Sequence, residues 1–376
     1  MVSKGERVNR IRKINSDVAD AIELREPERV PYIMHGGCPY AQWSNKIKVS
    51  EAMLDSELFA KACLNTIKRH DIDGFFPIGS SISKRMLKEN ELIEKSGVKY
   101  LVDPKSKKPI LRISEDGFPE KIALVDKSLA MELNEENVKS VYIPSIQEME
   151  EDGLADVIKI VAEEVGDKIL LGSGASSADS NVISAIGFDQ FLDATFEKPE
   201  LLDMYLQKEN QRVIREAILA LKSGCHIVYT TASWSGLLTR ETFLKFSYKY
   251  HQALVEEVHK QGGIVLFFAS GFQAHLMDLY VNMKPDILLI DQDDIGWVKK
   301  NFGNKVCLQG NINPTDILKS SLEDIERKVK ECIRKAGYGG GYIFDSSDEL
   351  ARDTSPSKVD FVIKTLRKFG KYPLQV

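Results

Sequence analysis

The chain has 376 residues, 43% of them hydrophobic and 28% charged, an ordinary globular balance that suits two domains or one larger barrel with an insertion. A formal net charge of -5 and a pI near 5.8 argue against a general nucleic-acid binder, which needs a basic surface. The apolar runs fall far short of the roughly 20 residues of a membrane span, and the opening MVSKGERVNRIRKIN has no apolar core of a secretory signal, so a soluble cytoplasmic protein is expected.

In chain order, residues 6–24 read as a helix, ended by Glu26-Pro27-Glu28-Arg29. A first strand over 30–34 (VPYIM) runs into His35-Gly36-Gly37-Cys38-Pro39-Tyr40. The spacing of Leu58, Phe59, Ala62, Cys63 and Ile67 predicts a helix over 57–70, and 71–77 (DIDGFFP) a second strand. The rhythm then breaks. β-Branched runs, turn signals and a charged tip at 103–108 predict a small antiparallel excursion inserted at about 85–145.

Regularity returns with a helix over 146–164, a strand over 169–171 and the small-residue loop 172–177. A helix over 199–222 precedes a strand at 226–230, and Thr239 caps a helix running to about 260, stopped by Gly262-Gly263. Strands follow at 264–268, 287–290 and from 305, the last ending in Gln309-Gly310-Asn311. A helix over 321–336, a glycine-rich turn, a strand at 342–345 and a helix over 358–368 complete the chain. Eight strands, mostly separated by helices, predict a (β/α)8 TIM barrel in one domain over 1–376, not a doubly wound sheet. A dinucleotide-binding reading fails because Gly172-Ser173-Gly174 lacks the third glycine, and no lysine follows to make a phosphate-binding loop.

The five cysteines, Cys38, Cys63, Cys225, Cys307 and Cys332, are scattered, with no C-x-x-C spacing, so neither a disulfide framework nor a compact zinc site is written here. Cys307, inside an apolar run, reads as a small core residue.

At 308–314 (LQGNINP) the chain resembles the uroporphyrinogen decarboxylase superfamily, which includes methylcobamide:thiol methyltransferases. PERVPYIM at 27–34, SWSGLLTRETF at 233–243, the Ile290-Asp291 strand end and ARDTSPSKV at 351–359 agree in the same order. The resemblance implies the barrel fold and a homodimer. It also sets contrasts. The decarboxylases carry a paired-arginine clamp after the first strand, where this chain has His35-Gly-Gly-Cys-Pro39-Tyr40, so a many-carboxylate porphyrinogen would lack guanidinium partners. The thiol-directed enzymes hold zinc with His-x-Cys after the fifth strand and a later Cys, where this chain has Phe267-Phe268-Ala269-Ser270-Gly271 and Asp348. What remains implied is a methyltransferase moving a methyl group between a small O- or N-methyl compound and a corrinoid (cobalamin) on a partner protein. Zinc is an open question, with Asp348 or Glu349 as the available ligands.

Candidate residues carry a structural reading beside the functional one. His35, between a strand and two glycines, is a catalytic candidate or a structural histidine bonding a loop carbonyl. Asp291 ends an apolar strand, where a carboxylate is costly to bury without a partner, so it is read as catalytic. Asp293 and Asp294 are better placed to cap the next helix. Gln309 and Asn311 line the pocket or merely shape a tight turn. Asp345, Asp348 and Glu349 form a solvated acidic loop or a site, with Asp348 or Glu349 favoured and Glu349 taken as catalytic. Tyr229, Trp234 and Ser270 are read as substrate-binding, the two aromatics as a wall for an apolar or aromatic substrate. His226 opens its strand and belongs at the other barrel end; His70, His251 and His259 lie on helices and read as surface or structural. The competing expectations are a non-catalytic ligand- or partner-binding barrel, and a decarboxylase or lyase acting on a small acid.

Overall fold

A computed structural model describes residues 2–376 of the chain. Among the described residues, eight short apolar runs pair in parallel: β1 (Ile33–His35), β2 (Gly74–Ile78), β7 (Leu170–Gly174), β8 (Ile227–Thr231), β9 (Ile264–Ala269), β10 (Ile287–Ile290), β11 (Cys307–Gln309) and β12 (Tyr342–Ile343). They are hydrogen-bonded in that order, and a parallel bridge between Tyr32 and Phe344 joins the last strand to the first. The result is a (β/α)8 TIM barrel. Its strands are almost wholly buried because helices cover the outside and side chains fill the inside, which is why they read as continuous apolar runs instead of alternating ones.

The interior filling comes from every second residue of each strand. Ile33, Phe76, Leu170, Ile227, Leu266, Phe268, Leu289, Cys307 and Ile343 form one buried cluster. The same cluster takes in Val8, Ile11, Val18 and Ile22 from two N-terminal helices, α1 (Lys4–Arg12) and α2 (Ser16–Ile22), which plug one barrel end. That end holds the strand N-termini: Arg7 pairs with Asp286 at 3.0 Å just before β10, and Asn15 donates to Asp73 at 2.9 Å just before β2. The other end is left for chemistry.

Three expected helices differ in detail. The helix predicted over 6–24 is two, because Asn15 adopts an extended conformation and its side chain accepts from Val18 N, capping a new start. The helix predicted over 146–164 is likewise two, Ile146–Glu151 and Asp156–Val165, separated at Gly153, whose φ of 83° has no place in a right-handed helix. Thr239 does cap its helix, but the run contains a π-helical turn, Leu244–Tyr248, between Arg240–Phe243 and Lys249–Gln261. Helices Ala178–Ile186 and Phe188–Glu197 add to the predicted set.

The insertion is a four-stranded antiparallel sheet of β3 (Glu91–Lys95), β4 (Val98–Val102), β5 (Pro109–Ile113) and β6 (Glu120–Lys121) in sequential order. No helix among the described residues is long and apolar enough to cross a membrane.

Candidate active site

Continuing the inward alternation one step beyond Ile33, Cys307 and Ile343 brings His35, Gln309 and Asp345 onto the same face, at the strand C-termini. The apolar filling therefore ends in a polar layer. All three residues are fully buried. Gln309 Nε2 donates to Asp345 Oδ2 at 2.7 Å, while Asp345 Oδ1 accepts from the backbone N–H of His35 at 3.1 Å and of Ser346 at 2.8 Å. These bonds tie the last strand to the first. A further one, from Leu350 N to His35 O at 2.9 Å, folds the following loop over the same spot.

The His35 imidazole lies flat on Phe76 (ring centroids 4.5 Å apart), with the edges of Tyr229 and Phe268 at 5.4 and 5.9 Å. Neither ring nitrogen has a hydrogen-bond partner. Its Nε2 stands 3.7 Å from Glu349 Oε1, too long for a hydrogen bond and short enough for strong charge coupling. Burial alone would lower the imidazole pKa; Glu349, Asp345 and Asp348 outweigh it and hold the pKa above its ordinary value.

Burial pushes the Asp345 carboxyl up to about 7, against the opposing pull of His35 and Gln309. Asp348 is also raised by burial, with His35 opposing. Tyr229 is driven well above its ordinary value by burial and by four carboxylates around it, Glu349, Asp348, Asp345 and Asp291. Among the described residues no Lys or Arg forms an ion pair with any of those four. His35 is the basic side chain set among them, with Glu349 as its ion-pair partner at 3.7 Å.

The remaining expected residues divide. Asp291 lies at the end of β10, where its Oδ2 accepts from Gly271 N at 2.7 Å; it belongs to the carboxylate ring through Tyr229 and Asp348. Asn311 donates to the carbonyls of Asp291 (3.2 Å) and Asp293 (3.1 Å), so its side chain shapes the loop that carries Asp291. The preceding Gly310 has φ 119° and would place a Cβ 2.8 Å from Ile290 O, which no other residue tolerates. Asp294 caps Ile295–Phe302, as expected, but Asp293 instead accepts from Gln273 N at 2.8 Å. Ser270 offers its carbonyl to Gln273 Nε2. Trp234 stacks on Phe188 at 5.4 Å, and its aromatic contacts do not extend to His35.

Four other histidines are structural. His226 Nδ1 accepts from Leu171 N at 3.1 Å ahead of β8, at the plugged end. His70 and His251 are buried, not on the surface: His70 bonds Tyr40 at 2.9 Å and Asp360 at 2.7 Å, and His251 faces Asp179 at 3.4 Å. His259 pairs with Asp286 at 2.8 Å. Sequence reasoning ranked Asp345 below Asp348 and Glu349, yet it is the buried centre of the polar layer. The signal was present: Tyr342-Ile343-Phe344-Asp345 ends an apolar run in a carboxylate, just as ILLI does at Asp291.

Residues 128–369 match the family model for uroporphyrinogen decarboxylase (URO-D). The chain belongs to the URO-D family. Its relatives include uroporphyrinogen decarboxylases of Trichodesmium erythraeum, 29% identical over 179 residues (46% of this chain, 49% of the relative), and of Vesicomyosocius okutanii, 30% identical over 182 residues (47% and 51%). The chain thus spans about half the length of the curated relatives it matches.

Among solved structures, a methyltransferase from Methanosarcina mazei superposes with a TM-score of 0.76 at 14% identity, covering 95% of this chain and 98% of that one. A B12-independent methionine synthase from Shewanella sp. gives a TM-score of 0.53 at 8% identity, covering 90% and 96%. Both likenesses speak to the fold. Within the URO-D barrel, this chain has an acidic mouth where a polyanionic substrate would need cations. Among its described residues no three His, Cys, Asp or Glu side chains converge as a metal-binding group, so Asp348 and Glu349, the ligands left open for zinc, belong to no preformed ligand set.

Proposed function

We propose that this chain is a methyltransferase that moves a methyl group between a small O- or N-methyl compound and a corrinoid carried by a partner protein. The observation that carries the reading is His35: fully buried, unpartnered at both nitrogens, and facing Glu349 across 3.7 Å at the open end of the barrel. A free imidazole with a raised pKa is a proton carrier aimed at a ligand, not a strut.

The bound corrinoid supplies a low-valent cobalt nucleophile that accepts the methyl group. The protein's own groups do the rest. The CH3–O or CH3–N bond breaks with its electron pair going to the heteroatom, and His35 supplies the proton that a departing oxygen or freed amine takes up. Glu349 stabilises the imidazolium before transfer, and Asp345 and Gln309 fix the β1–β12 seam on which His35 sits. Phe76 and Phe268 hold the ring in place and exclude water.

Two exposed apolar side chains at the rim support a partner-borne macrocycle docking there. Leu237 (66% exposed) and Phe272 (69% exposed) project from the loops after β8 and β9. Those loops touch: Gln273 Nε2 donates to Ala232 O at 2.7 Å, and Phe272 O lies 3.1 Å from where a Cβ on Gly236 would stand. The two side chains give the mouth an apolar border of the kind that an apolar ring system covers.

The test mixes the purified protein with cob(I)alamin and a panel of methyl ethers and N-methyl compounds, and follows conversion to methylcobalamin by its absorption spectrum. Conversion with at least one donor, lost in His35→Gln, is expected. Turnover that survives His35→Gln unchanged, or no conversion with any donor, refutes the reading. The soluble compartment and the homodimer expected from sequence stay parts of this proposal.

A further inference from the structure

The charge at the barrel mouth is one-sided. Asp291, Asp345, Asp348 and Glu349 all bear on Tyr229. Even with Asp345 protonated and His35 charged, three carboxylates face one imidazolium. In a globular protein such an excess is ordinarily matched by Lys or Arg, as it is elsewhere in this chain: Asp73 with Arg29 and Arg367, Asp286 with Arg7 and His259. Around the four mouth carboxylates the only ion pair among the described residues is His35 with Glu349. The cluster is also incomplete in a second, independent way, because the buried His35 has no hydrogen-bond partner at either nitrogen.

A cleft of about 560 Å³ reaches one edge of this group at Asp291 and is lined also by Asn311 and Ser347; Tyr229, His35, Asp348 and Glu349 lie outside its lining. Two lysines there are already engaged, Lys328 with Asp316 at 2.6 Å and Lys335 with Asp294 at 2.9 Å, so they do not reverse its sign. Tyr229 keeps some exposure, and its ring lies 5.4 Å from that of His35, the residue that Glu349 faces at 3.7 Å. Carboxylates around an aromatic ring, with no competing lysine or arginine, are the chemistry that recognises a methylated ammonium group. The ring quadrupole favours the soft, poorly hydrated cation, and the carboxylates supply the counter-charge.

We propose that the methyl donor of this site is a cation, a tertiary or quaternary N-methyl ammonium compound held between Tyr229 and the carboxylates of Asp291, Asp348 and Glu349. This rests on the methyltransferase reading for its chemistry and narrows it to one substrate class. Transfer from such a donor breaks the C–N bond with its electron pair going to nitrogen, so the amine leaves neutral and the methyl passes to the partner's low-valent cobalt. The freed amine then takes its proton from His35, which solvent recharges. A phenolate or carboxylate product, by contrast, would be released among like charges.

The experiment is calorimetric titration of the full chain, near neutral pH, with choline, with its uncharged carbon isostere 3,3-dimethylbutan-1-ol, and with 4-methoxybenzoate. Choline is expected to bind at least ~10-fold more tightly than the isostere, and the anion not to bind measurably. Asp348→Asn combined with Glu349→Gln, both on the partly exposed rim, is expected to erase the preference. Equal binding of choline and the isostere, tighter binding of the anion, or no choline binding overturns the proposal. So does stoichiometric zinc at Glu349 that choline fails to displace. The two readings fail separately. Methyl transfer from an ether without choline binding sinks this inference alone, whereas choline binding without transfer from any donor sinks the methyltransferase reading and with it the donor role, leaving only a cation site.

Discussion

Asp345→Asn replaces a carboxyl that burial holds near 7, against an ordinary value of 3.8. Between those values the folded state binds a proton that the unfolded chain has released, so the wild-type protein loses stability as pH rises from about 4 to about 7. At ~1.4 kcal/mol per pH unit, the accumulated cost is about 2 kcal/mol at pH 5 and about 4 kcal/mol at pH 8. Asparagine has nothing to ionise. Its Oδ1 still accepts from His35 N and Ser346 N, and Gln309 can rotate its amide so that the unpartnered Oε1 meets the new NH2. The variant is therefore expected to be the more stable protein, by a margin that grows with pH. Urea unfolding followed by circular dichroism at about pH 5 and about pH 8 measures both margins. A variant less stable than wild type at pH 8, or a margin that does not change with pH, refutes the assignment of Asp345 as a buried, ionisation-strained carboxyl. Loss of methyl transfer in a stabilised variant would mark that strain as functional.

Glu349→Gln removes the strongest influence raising the His35 pKa, so the imidazole titration midpoint, read by proton NMR, is expected to fall; an unmoved midpoint would uncouple the pair. Asp73→Asn leaves the Arg29 and Arg367 guanidiniums without their shared carboxylate and is expected to cost about 3 kcal/mol at neutral pH. Despite burial, those arginines hold the Asp73 pKa below its ordinary value, so the wild-type advantage exists above about pH 4 and fades as pH falls through the depressed value. An equal difference at pH 7 and pH 3 would contradict this. Gly37→Ala puts a Cβ 1.7 Å from the carbonyl oxygen of Pro77, so the β1 and β2 loops must separate at a cost of about 3 kcal/mol; an unchanged Tm would show that they do so freely.

The sequence by itself determined the barrel. Runs such as ILLI and IVLFFA can be buried on both faces only in a parallel sheet covered by helices, and eight of them in series leave closure as the consistent arrangement. It also placed His35, Asp291 and Gln309 at strand ends, because a polar residue at the end of a buried apolar run has few other places to be. Helix breaks at Asn15 and Gly153, and the π-helical turn after Phe243, escaped because capping and tertiary packing decide them locally against a continuous apolar period. The weight of each site residue was decided only in three dimensions. His35 and Asp345 lie 310 positions apart and meet because the last strand closes on the first. That seam buries one carboxyl and strands one imidazole. Charge balance is a property of the assembled mouth, and no linear reading of scattered aspartates shows that lysine and arginine are missing from around them.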